Sequence, residues 1–64
     1  MDEPVVGLRC RLVKVVRPSD GGVYKPGLEG GIRRVRESLG RPLVTVDLDC
    51  GKTLTLLAGD IERA

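Results

Sequence analysis

The side chains with the most chemistry to offer are basic: Arg9, Arg11, Lys14, Arg17, Arg33, Arg34, Arg36 and Arg41. A guanidinium is a planar fork of donors that grips carboxylate or phosphate with two parallel hydrogen bonds. Arg9 and Arg11 alternate with Leu8, Cys10 and Leu12, the period of a strand with one polar face. If the first two strands are neighbours, Arg9, Arg11, Arg33 and Arg36 share a surface. The candidate partner-binding set is therefore Arg9, Arg11, Arg33, Arg34, Arg36 and Arg41. Its partner would be anionic, either an acidic protein or a nucleic-acid backbone. The plainer reading is a solvated face that keeps a small aliphatic protein dissolved.

The remaining chemistry is sparse. Histidine is absent, which removes the commonest general base and metal ligand. No Ser–His or Cys–His pair can form. Asp47, Asp49, Asp60 and Glu62 gather in the C-terminal part. Asp47 and Asp49 flank a turn, where capping and solubility explain them as well as acid–base or cation chemistry. Cys10 and Cys50 are too few for a disulfide framework or a closed zinc site. The run Lys25–Val35, KPGLEGGIRRV, resembles a phosphate loop only superficially. Neither G-x-x-x-x-G-K-[ST] nor G-x-G-x-x-G is present, so Gly27, Gly30 and Gly31 read as conformational glycines at a bent strand. The expectation is a chain that is not an enzyme and needs no metal or cofactor.

At 64 residues the chain is one domain, with a small core. That core must be aliphatic, because Tyr24 is the only aromatic residue. Residues 1–42 carry nine Lys/Arg and five Asp/Glu, against two and four in residues 43–64. Such a balance describes a basic face on a near-neutral protein. No apolar run approaches membrane-span length. The first residues, MDEPVVGLRC, are acidic where a signal peptide is basic, and a cytoplasmic protein is expected.

Strands must position these groups. Gly7–Pro18 reads as the first, its alternation slipping near Val13 through a bulge or burial of both faces. Ser19–Gly27 is a loop of turn residues. Pro42–Leu48 is a strand with Leu43, Thr45 and Asp47 on one face and Val44, Val46 and Leu48 on the other. Asp49–Gly51 is a hairpin turn, with Gly51 in a left-handed position and Cys50 at its tip. Lys52–Leu57 returns with Leu54 and Leu56 inward. Ala58–Arg63 is a short 3₁₀ turn followed by a stub strand carrying Ile61. Gly27–Pro42 admits two readings. In one, a short helix over residues 32–39 is capped by Gly40, giving an α+β protein. In the other, a strand with a bulge at Arg33–Arg34 brings Val35 inward. The strand is preferred, because five strands can curl and manage their own edges, giving an all-β fold.

This order of signals resembles the small Src-homology-3 (SH3)-like barrels. A basic first strand, a long loop, a Gly-x-x-Gly entry, a glycine-turned hairpin and a 3₁₀ turn before a stub strand recur there, over residues 7–63. Gly27-Leu28-Glu29-Gly30-Gly31-Ile32 is similar to the glycine-rich element of KOW-type barrels. Val15–Ile32 also resembles the photosystem I E subunit and the ferredoxin–thioredoxin reductase variable chain. The resemblance implies a five-stranded barrel and a non-catalytic accessory subunit that docks on a larger protein or complex. It equally admits a KOW-like nucleic-acid module that contacts phosphates. Binding of proline-rich peptides is disfavoured by the missing aromatic groove, and base stacking by the same lack. Association of copies through edge strands is a third expectation for so small a core.

Overall fold

Aliphatic alternation places the strands, and the computed structural model describes residues 1–19 and 21–64. The elements are β1 (Arg9–Leu12), β2 (Glu29–Ser38), β3 (Arg41–Leu48), β4 (Thr53–Leu57), a 3₁₀ turn (Ala58–Asp60) and β5 (Ile61–Arg63). All five strands join one antiparallel sheet in the order β4-β3-β2-β1-β5. The fold is all-β, and residues 32–38 are strand where the alternative reading had a helix. Gly40 does not cap a helix. With Leu39 it forms a two-residue turn with φ of 51° and 77°, the geometry of a tight I′ hairpin. No helix among the described residues is long and apolar enough to cross a membrane.

One short connection forces the sheet to curl. A flat five-stranded sheet holds its edges about 19 Å apart, at about 4.8 Å per strand. Here β4 and β5 are the two edges, and only Ala58–Asp60 joins them. Three residues of 3₁₀ geometry span about 6 Å. The edges must therefore approach each other, and the concave face closes around a single interior. Cys10, Leu12, Ile32, Val44, Val46, Leu48, Leu54, Leu56 and Ile61 fill it, drawn from every strand. The Asp60 carboxylate accepts from the Leu57 amide at 3.2 Å and steadies the turn.

The bulge falls where parity demands it. Ile32 pairs with Val46 and Arg34 with Thr45, leaving Arg33 extra. Without that residue Val35 would point outward; with it, Val35 packs half-buried against the core. The glycine-rich entry has a steric cause at Gly30, which is buried between Cys10 and Leu48 in the ladder. A Cβ there would strike the Asp47 carbonyl oxygen and lie 2.8 Å from Leu48 Cα.

The first strand is shorter than Gly7–Pro18. It ends at Leu12, because its partner β2 begins only at Glu29. The Val13 amide turns instead to the Asp60 carbonyl at 3.0 Å. Val13 and Val15 are exposed rather than packed. Val16 and Tyr24 then pinch the long loop with a two-way backbone bridge. Asp20, in the turn sequence of that loop, lies outside the described residues.

Candidate partner-binding face

The sheet divides the six arginines into two groups. Arg9 and Arg11 stand on β1, at the end of the sheet where β2 begins. Arg9 grips Asp49 with both guanidinium nitrogens, Nη1 to Oδ1 at 2.9 Å and Nη2 to Oδ2 at 2.5 Å. Glu29 Oε1 lies 3.9 Å from the same Arg9 Nη2. Arg11 Nε sits 3.2 Å from Glu62 Oε1 across the β1–β5 pair, an ion-pair contact out of hydrogen-bond alignment. Arg33, the bulge residue, pairs with Asp47 at 3.7 Å. Asp47 also accepts from the Thr53 hydroxyl at 2.8 Å. These arginines therefore already have carboxylate partners.

Arg34, Arg36 and Arg41 carry no carboxylate partner among the described residues. Register places them together on the outer face of the β2–β3 hairpin. Arg34 lies opposite Thr45, and Thr45 opposite Thr55. Arg36 lies opposite Leu43, and Leu43 opposite Leu57. Ser38 lies opposite Arg41, beside the turn. Leu39, at the tip, is 100% exposed. The free guanidinium forks thus border an apolar strip, Leu43 and Leu57, and a pair of hydroxyls. Arg36 is five residues along β2 from Gly31, the partner of Arg9, or about 16 Å at 3.3 Å per residue. The single surface expected for Arg9, Arg11, Arg33 and Arg36 is therefore two surfaces, one neutralised and one not. The chain leaves the sheet after Leu12 and returns at Gly27, at the other end of β2 from the arginine-bearing turn.

The pairing of charges moves their acidities. The bidentate bond from Arg9 holds the Asp49 carboxyl below the usual aspartate range, and Asp49 pushes the Arg9 guanidinium up. Burial pushes the Cys10 thiol up, so it is a core side chain rather than a nucleophile. Cys50 is exposed at the β3–β4 turn. There Gly51 takes φ 95° and its amide donates to the Leu48 carbonyl at 2.9 Å.

Comparison of this chain with protein-family models, curated proteins and solved structures returned no match. The face must be read from its own groups. Among the described residues no set of His, Cys, Asp and Glu is placed to hold a metal ion. An open depression of about 600 Å³ lies between the N-terminal segment and β5, lined in part by Val5, Leu8, Asp2, Glu3 and Glu62. Arg63 lines it beside these acids, and Arg34, Arg36 and Arg41 are not part of its lining. Leu43 and Leu57 were absent from the candidate set, although Leu43 already stood on the outward parity of its strand. An aliphatic residue at an outward position was the available signal.

Proposed function

We propose that this chain is a small non-catalytic interaction module of SH3-like type, an accessory subunit that docks on a larger protein or complex. The observation that carries this reading is the arginine partition. Among the described residues, Arg34, Arg36 and Arg41 stand without carboxylate partners around Leu39, Leu43 and Leu57, whereas Arg9, Arg11 and Arg33 are paired within the chain. Arginine beside apolar side chains is the composition of protein–protein contact surfaces. The strand order and the 3₁₀ turn before β5 support the SH3-like assignment.

The test is capture from a source-cell lysate on immobilised protein, comparing Arg34→Ala/Arg36→Ala/Arg41→Ala with Arg9→Ala/Arg11→Ala. The reading expects a stoichiometric protein partner lost by the triple variant and kept by the double. Equal loss by both, or by neither, rejects this face. A second reading, phosphate-backbone binding, is favoured by the Thr45 and Thr55 hydroxyls beside Arg34. It expects retention on immobilised RNA that falls steeply with salt.

A further inference from the structure

Among the described residues, β2 past Ile32 has a neighbour on one side only. The Ile32 amide donates to the Leu8 carbonyl at 2.9 Å, and the Ile32 carbonyl accepts from Gly7 at 2.9 Å. There the pairing with the β1 side stops. On the other side β2 stays paired with β3 out to Ser38 and Arg41. Antiparallel partners alternate between bonded and non-bonded pairs. The two-residue turn makes Ser38–Arg41 a bonded pair. Arg36–Leu43 and Arg34–Thr45 are then bonded too, while Glu37–Pro42 and Val35–Val44 are not. Pro42, which has no N–H, fits that assignment. The N–H and C=O of Val35 and Glu37 consequently point away from β3, into space that β1 does not reach. Among the described residues no backbone group meets them there.

An open edge with Arg34 and Arg36 on its outer face and Val35 on its inner face has a definite complement. We propose, resting on the docking reading above, that this edge receives an extended segment of the partner protein as an added strand. In that segment acidic side chains alternate with aliphatic ones. The acids come to stand beside Arg34 and Arg36, and the aliphatic side chains continue the apolar face beside Val35. Added strands of this kind take affinity from main-chain hydrogen bonds and specificity from alternate side chains. A second copy of this chain is a poor occupant. Antiparallel self-pairing about Val35 sets Arg34 of one copy opposite Arg36 of the other, and like charges directly opposite are destabilising.

The experiment uses the full ¹⁵N-labelled chain with a capped peptide of five Glu-Val repeats, and Lys-Val repeats as control. The expected result is binding of the Glu-Val peptide alone, with the Val35 and Glu37 amides exchanging fast in the free protein and slowly in the complex. Glu37→Pro removes one edge donor and should weaken binding about fivefold. Glu37→Ala keeps the donor and should not weaken it, and circular dichroism checks that both variants fold. Peptide binding that needs Arg34 and Arg36 but leaves exchange at Val35 and Glu37 unchanged overturns strand addition and leaves the docking face standing. Absence of peptide binding also overturns it, and the lysate comparison then judges the docking face separately. Self-association of the chain with protection at Val35 and Glu37 makes a second copy the occupant and overturns the acidic one.

Discussion

Gly30 and Gly31 are neighbours with opposite demands, and replacing each by alanine tests the reasoning behind the fold. A Cβ at Gly30 would meet the Asp47 carbonyl oxygen, Leu48 Cα at 2.8 Å and Val46 Cγ1 at 2.9 Å. Ordinary carbon contacts begin near 3.5 Å, so β3 would have to retreat by most of an ångström. Two of the three obstacles are backbone, and Val46 and Leu48 are themselves core residues, so no flexible side chain can yield. Overpacking of this kind costs about 1–3 kcal/mol, and the upper end is expected for Gly30→Ala. A chain of 64 residues has roughly 3–10 kcal/mol in total. A loss of about 3 kcal/mol lowers the melting midpoint by about 12–24 °C. At Gly31 an added Cβ meets nothing within 4 Å, and φ is not positive. Gly31→Ala should therefore be neutral or stabilising by up to about 1 kcal/mol. Urea titration followed by far-ultraviolet circular dichroism reads both. Equal losses at the two sites, or a Gly30→Ala variant as stable as the parent, would refute the packing argument.

Leu39→Asn should raise the melting midpoint, by about 0.5–1 kcal/mol of stability, because Asn tolerates the left-handed conformation that Leu39 holds at φ 51°; a lowered midpoint rejects the turn assignment. Cys50 should react with a thiol reagent in the folded protein, whereas Cys10 should react only through unfolding; equal rates would refute its burial. The folded-state value of Asp49 is depressed, so its pair with Arg9 stabilises above the unfolded value of about 3.9 and fades as pH falls through the folded one. Arg9→Gln should return the Asp49 midpoint, followed by carboxyl NMR, to the ordinary range; an unmoved midpoint removes Arg9 as the cause.

Much of this architecture is legible in the residues. Parity alone located the bulge, since Ile32 and Val35 cannot both face inward on an unbroken strand. Gly51 and the inward Leu54 and Leu56 marked the β3–β4 hairpin in the same way. Val13 and Val15 misled because local apolarity cannot report whether a partner strand is present. The chain there has left β2 behind, and the Val13 amide turns to Asp60 instead. The arginines were visible as a set but not as two groups. Asp49 lies 40 residues from Arg9 in sequence, so only the folded register shows which guanidinium it neutralises.

The three-residue link between β4 and β5 also sets an order of events in folding. β2, β3 and β4 are joined by tight turns and can zip as a meander at small loop-closure cost. The pairing of Cys10 with Arg63 joins residues separated by nearly the whole chain. Closure of the interior therefore comes last, and it waits on β5. Until Ile61 arrives, Leu12 has no partner on that side and the nascent sheet keeps an open apolar trough. For this chain, the interval between synthesis of β4 and docking of β5 is when it is most exposed to misassociation.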